Sequence, residues 1–197
     1  MLRGVIFDLD NTLVDSQLDF EAMRREMRLQ SDLRILEAIA ELPAEHAAEC
    51  HFILRRHEQI GAEQATLLPG VAQLLAKLQE QNLPVGIVTR NSRENSLISL
   101  KNTGLEPHIL ITRDDGPIKP DPWAVKHICQ QWQVPPHEVV MIGDYRFDVD
   151  SGRDAGAKTV ILTGEVHPDE YPNEEGADLR LRSLAETDSL WAWLMTL

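Results

Sequence analysis

Three features of this 197-residue sequence predict an α/β fold, a doubly wound parallel sheet covered by helices, with a small α-helical insert after the first strand. Short unbroken apolar runs recur along the chain and helical apolar spacing fills the stretches between them. Each run also stops at or near a polar residue able to do chemistry. Such runs read as parallel strands buried on both faces. In a sheet of this class, ligands collect in the crevice beyond the carboxyl ends of the strands.

The first run, Val5-Ile6-Phe7, stops at Asp8. The second, Pro84-Val85-Gly86-Ile87-Val88, stops at Thr89, and the third, Ile109-Leu110-Ile111-Thr112, leads into a loop that reaches Lys119. Val139-Val140-Met141-Ile142-Gly143 stops at Asp144, and Thr159-Val160-Ile161-Leu162 ends near Gly164. Between the runs, Val71, Leu74, Leu75 and Leu78 follow the i, i+3, i+4, i+7 spacing of an amphipathic helix. Asp121-Pro122 opens another helix with an acidic cap and a proline, and Pro135-Pro136 breaks the chain before the next strand. Ser183 and Glu186 predict a capping box ahead of a last helix carrying Leu184, Leu190, Trp191 and Leu194.

One segment departs from the alternation. Residues 15–68 hold no strand-like run, but show helical periodicity over Leu18–Leu29, Leu33–Leu42 and Ala44–Ala65, with Pro43 and Pro69 bracketing the last stretch. The domain reading is therefore an α/β core of residues 1–14 and 69–197, with residues 15–68 as a helical subdomain over the crevice. Four tryptophans, Trp123, Trp132, Trp191 and Trp193, are expected mostly in the core.

Composition narrows the class. Hydrophobic residues make up 43% of the chain, enough for a sizeable core, and 32 acidic against 19 basic residues leave a net charge of −13. That balance argues against nucleic-acid or membrane-surface binding, which needs a basic face. Small phosphorylated ligands remain compatible, because a bound cation reverses the field locally. Two cysteines, Cys50 and Cys129, are too few for a disulfide framework, and the N-terminal apolar run is too short for a signal peptide or membrane span. A cytoplasmic protein, monomer or homodimer, is expected.

The candidate chemistry lies at the run ends. Asp8 and Asp10 flank Leu9, a pairing that suits one carboxylate as nucleophile or metal ligand and the other as general acid/base. Asp144 and Asp148 add two carboxylates at another run end, with Gly143, Gly152 and Gly156 spaced for close backbone approach. Convergence of four carboxylates demands a cation, since like charges 4 Å apart repel by roughly 4 kcal/mol at an effective dielectric near 20. An all-oxygen site of this kind selects Mg²⁺. With Lys119 and the Thr89 hydroxyl, it makes a phosphoryl-binding set.

Together, Asp8-Leu9-Asp10-Asn11-Thr12, Thr89, Lys119-Pro120-Asp121-Pro122 and Gly143-Asp144…Asp148…Gly152…Ala155-Gly156 resemble the four ordered motifs of the haloacid dehalogenase (HAD) superfamily of hydrolases, whose core is Rossmann-like. The helical insert resembles the cap of its phosphoglycolate-phosphatase-like subgroup. The resemblance implies that Asp8 is the nucleophile forming an aspartyl-phosphate and that Asp10 is the acid/base. It implies that Thr89, Lys119 and backbone N–H groups at Leu9 and Arg90 bind phosphate. It further implies Mg²⁺ on Asp8, the Asp10 carbonyl and Asp144, with Asp148 orienting a metal-bound water. The implied activity is a Mg²⁺-dependent phosphatase acting on a small phosphorylated metabolite. Alternatives are a phosphotransferase or mutase, a 2-haloacid dehalogenase, and a non-catalytic phosphoacceptor module. Residues 15–20 lack the histidine of the mutases, and Asp10 is the acid that true dehalogenases lack. The insert is locally basic, with Arg24, Arg25, Arg28, Arg34, Arg55 and Arg56, so that one arginine could grip a second anionic group on the substrate. Glu58 reads as part of a solvated helix face, and His46, His51 and His57 as surface residues.

Overall fold

A computed structural model describes residues 1–30, 33–164 and 176–197. Six parallel strands form its central sheet: β1 (Gly4–Phe7), β4 (Val85–Val88), β5 (Ile109–Ile111), β6 (Val139–Gly143), β7 (Lys158–Leu162) and β8 (Leu179–Leu181). Their spatial order is β5-β4-β1-β6-β7-β8. The chain leaves β1 toward one edge through β4 and β5, then crosses back to build β6, β7 and β8 on the other side. Strand β1 is thus the switch point, and crevices open beside its carboxyl end. Phe7 lies opposite both Ile87 of β4 and Ile142 of β6. The register therefore places Asp8 and Leu9 between the ends of those two strands.

Alternation along the strands sorts their side chains onto two faces. Val5 and Phe7 pack in one core with Val140 and Ile142. Helices α4 (Val71–Glu80) and α8 (Thr187–Leu194) cover that face, with Val71, Leu74, Leu78, Leu190 and Leu194 fully buried. Ile6, Val139 and Met141 point to the opposite core, under α6 (Trp123–Trp132) and α7 (Arg146–Ala155). Burying each of these aliphatic side chains contributes about 1.5–3 kcal/mol. The tryptophans flank the cores and are half-buried, not sealed inside.

The insert has a third core of its own. Helices α1 (Phe20–Glu26), α2 (Ile35–Ala40) and α3 (Ala44–Gln64) bury Met23, Met27, Ile35, Ile39, Cys50, Ile53 and Leu54 together. At its base, β2 (Val14–Asp15) and β3 (Thr66–Leu67) form a two-residue antiparallel ribbon. The apolar pattern missed that ribbon, because two residues per strand carry no period. Strand β8 was also missed: Leu179-Arg180-Leu181 sits at the sheet edge and alternates, unlike the central strands.

Capping details differ in one place. Asp121 accepts from the Trp123 N–H at 2.8 Å in the turn that leads into α6, one residue before the N-cap Pro122. The capping box expected from Ser183 and Glu186 does not form: Ser183 Oγ accepts from Ala185 N–H, Glu186 accepts from Arg182 N–H, and α8 begins only at Thr187. A tight turn before the helix uses both side chains. No helix among the described residues is long and apolar enough to cross a membrane.

The end of β6 relies on a missing side chain. A Cβ at Gly143 would lie 2.1 Å from Cγ of Asp148, so only glycine lets the Asp148 carboxyl tuck beneath the strand end. Gly143→Ala should therefore lower stability by about 1–3 kcal/mol through overpacking. Denaturant unfolding measures this, and an unchanged midpoint contradicts the packing described.

Candidate active site

The sheet delivers its polar residues to one place. Asp8 donates its backbone N–H to the Ile142 carbonyl at 2.9 Å, which carries the β1–β6 pairing one residue past the strand. Lys119, only 2% exposed, extends its ammonium between two carboxylates, 2.6 Å from Asp8 Oδ1 and 2.6 Å from Asp148 Oδ1. The second Asp148 oxygen accepts from the Tyr145 N–H at 2.9 Å, at the start of α7. Asp144 follows β6 directly. One carboxylate oxygen from each of Asp8, Asp144 and Asp148 lies within 4.8 Å of the other two.

Three carboxylates at such spacing repel one another by about 3 kcal/mol per pair at an effective dielectric near 20. Burial, with Asp148 and Asp10 adding to it, pushes Asp8 up to about 7 despite the pull of Lys119. Burial, then Asp8 and Asp148, holds Asp144 well above the usual carboxylate range. Burial alone would lower Lys119, but the two flanking carboxylates more than offset it and its ammonium is stabilised. One ammonium leaves the cluster short of positive charge. The donor set is oxygen only, which fits a hard divalent cation at the Asp8, Asp144 and Asp148 cluster, where both Asp148 oxygens already accept from Lys119 and the Tyr145 N–H.

Asp10 stands to one side of the cluster. Its Oδ1 accepts from Ser16 Oγ at 2.7 Å and its Oδ2 from Asn91 Nδ2 at 3.1 Å. The turn that follows is closed by the Leu9 carbonyl, which accepts from Leu13 and Val14 N–H groups. Asn11 takes the left-handed conformation there, with φ of 59°. Thr89 continues β4 by one residue, is 4% exposed, and accepts from Asn91 N–H through its hydroxyl at 3.0 Å. Ser92 caps helix α5 (Arg93–Thr103), which frees Asn91 for Asp10. The backbone N–H groups of Leu9 and Arg90 have no acceptor among the described residues.

Several site residues were not visible in the sequence. Ser16 sits at the base of the insert, and nothing local ties it to Asp10. Two ion pairs join the insert to the core: Arg90 Nη2 donates to both oxygens of Glu37 on α2, at 2.6 and 2.8 Å, and Arg113 pairs with Glu58 on α3, at 2.5 and 2.8 Å. Glu58 is thus not a solvated helix residue: it is 6% exposed and its pKa is raised by burial, with Arg113 pulling the other way. Arg34 stacks over the Tyr145 ring and donates to its hydroxyl at 2.7 Å. The other basic residues of the insert are largely committed locally. Arg24 donates to the Leu33 carbonyl, while Arg56 and His57 both meet Glu26. His46 lies 3.1 Å from the Met27 carbonyl.

Known proteins share this framework. The family model described as haloacid dehalogenase-like hydrolase matches residues 5–162. An N-acetylmuramic acid 6-phosphate phosphatase from Pseudomonas putida is 32% identical over 90% of this chain and 91% of its own length. A phosphoglycolate phosphatase from Chromobacterium violaceum is 30% identical, with 94% of each chain covered. A hydrolase from Pseudomonas syringae superposes with a TM-score of 0.77 at 23% identity, covering 98% of this chain and 99% of its own, which bears on the fold alone. With the match spanning every strand-end residue described above, the chain belongs to the haloacid dehalogenase-like hydrolase family.

Proposed function

We propose that the protein is a Mg²⁺-dependent phosphatase that hydrolyses a small phosphorylated metabolite through a covalent phospho-enzyme on Asp8. The observation that carries this reading is the convergence of Asp8, Asp144 and Asp148 on one point, two of them paired with one buried lysine. Relatives named as phosphatases for two different phosphate esters support the reaction class.

Each residue has a task under this reading. An Asp8 oxygen attacks phosphorus, and the bond from phosphorus to the ester oxygen breaks. Asp10 gives its proton to the departing oxygen, then takes one from the water that attacks the Asp8-bound phosphoryl group. The second attack breaks the Asp8–phosphorus bond, releases inorganic phosphate and regenerates the carboxylate. Ser16 and Asn91 hold both Asp10 oxygens, fixing the direction in which that proton travels. Lys119, Thr89 and the backbone N–H groups of Leu9 and Arg90 meet the phosphoryl oxygens. Asp8, the Asp10 carbonyl and Asp144 would hold Mg²⁺, with Asp148 orienting its ligands, and the ion would supply positive charge that favours an ionised nucleophile and offsets the charge of the phosphoryl group.

Asp8→Asn should abolish phosphate release from a panel of small phosphate esters, and Asp10→Asn should slow it about 10²–10⁴-fold, as expected for a lost general acid/base. Turnover is measured as inorganic phosphate with Mg²⁺ and with chelator; an Asp8→Asn protein as active as the parent would sink the mechanism.

The same cluster predicts a stability signature. Asp8 is raised from an ordinary value of 3.8 to about 7, so the folded metal-free protein holds this proton more tightly than the unfolded chain. That stabilisation is complete below about pH 4 and is lost as pH rises through about 7. Without metal, the melting temperature should fall between about pH 5 and pH 8, and added Mg²⁺ should recover more at the higher pH. Scanning calorimetry at both pH values, with and without Mg²⁺, makes the comparison; equal recovery at both would contradict the charge assignment.

A further inference from the structure

At the seam between insert and core, the basic side chain next to the phosphate loop is already occupied. Arg90 follows Thr89, and its guanidinium makes three contacts. It donates to the Lys119 carbonyl at 2.6 Å, meets both oxygens of Glu37, and lies 4.6 Å over the Phe147 ring. Lys119 pairs with two carboxylates of the cluster and Phe147 lies between Asp144 and Asp148 in the chain, so this guanidinium stands beside the space in front of the cluster. Glu37 comes from the middle of α2, carried over the core by the insert.

The charge around that space is one-sided. Asp8, Asp10, Asp144 and Asp148 stand in the core, and the insert contributes two more acids, Glu37 and Glu58. Among the described residues, the basic groups paired with these acids are Lys119 with Asp8 and Asp148, Arg90 with Glu37, and Arg113 with Glu58. Arginines on the insert do not redress the balance. Arg34 is spent on Tyr145, Arg24 on a backbone carbonyl and Arg56 on Glu26, while Arg25 and Arg28 are exposed. A substrate bearing a second anion near its ester would find Arg90 already paired with Glu37, with Arg146, 5.4 Å from the Phe147 ring, as a further guanidinium nearby.

We propose that Glu37, by occupying Arg90, makes the site select phosphate esters of neutral alcohols or polyols over esters of hydroxy acids and over bisphosphates. The proposal rests on the phosphatase reading above and gives it a substrate class. Glu37 acts as a specificity residue through repulsion of the wrong ligand and capture of the guanidinium beside Thr89 that would otherwise welcome it. Its pairing with Arg90 also keeps the insert seated over the core, so selection and closure use the same contact.

The test compares two esters that differ in one group, 2-hydroxyethyl phosphate and 2-phosphoglycolate, by kcat/KM with Mg²⁺ present. The parent protein should favour the neutral ester by about tenfold or more. Glu37→Gln frees Arg90 and should narrow that ratio about tenfold, mainly through a lower KM for phosphoglycolate. Arg90→Gln leaves Glu37 unpaired and should widen it. A parent that prefers phosphoglycolate overturns the proposal, and so does a ratio unmoved in either folded variant. If one variant does not fold, the parent ratio and the other variant decide. Should neither ester nor any other phosphate ester be hydrolysed, the phosphatase reading falls and the selectivity with it; turnover with the reversed preference removes the selectivity alone.

Discussion

A buried ammonium between two carboxylates organises this molecule. Lys119 is almost wholly removed from water, and that is tolerable only because Asp8 and Asp148 each lie 2.6 Å away. The requirement reaches outward through the fold. Asp8 must stand at the end of β1, and Asp148 must turn back from α7 under β6, which needs the bare Cα of Gly143. The loop from β5 must carry Lys119 across the mouth of the sheet. Remove the lysine and three acids face one another with no cation of the chain's own among them.

That deficit of positive charge is the functional content of the arrangement. A pair of one acid and one base would be a structural ion pair and nothing more. Here the acids outnumber the base, so the site gains from a divalent cation and from a ligand whose oxygens the cation can hold. Stability is given up locally for this: Asp8 and Asp144 are both held above the ordinary carboxylate range. Raised carboxyl groups converging in a cleft mark chemistry more often than architecture.

Legibility in the sequence followed the range of each interaction. The central strands were readable because both faces of each are buried, which leaves an unbroken apolar run, as in Val139–Gly143. Their order and the residues that end them pointed to the carboxylate cluster, and a left-handed Asn11 is the kind of local feature that residue type announces. Edge strand β8 was hidden because Arg180 interrupts it, and the β2–β3 ribbon because it is too short for a period. The contacts of Ser16 with Asp10 and of Glu58 with Arg113 left no trace at all. Both depend on how the insert lands on the core, and nothing in the neighbouring sequence distinguishes Glu58 from any acid on a solvated helix.

The seam between insert and core follows from the same charge logic as the centre. Buried ion pairs add little net stability, since desolvation cancels much of the attraction, but breaking one strands a charge. Glu58–Arg113, which is largely buried, therefore fixes where the insert sits more than how strongly it holds, and the half-buried Glu37–Arg90 pair adds a second point of register. Both arginines belong to the core, beside the ends of β4 and β5, and both acids belong to the insert. Arg113 also donates to the Arg90 carbonyl at 3.2 Å, so the two pairs are joined through the loop that bears Thr89. Moving the insert would unpair two cations next to the Thr89 loop at once. The position of three helices is in this way written into the electrostatics of the strand ends they cover.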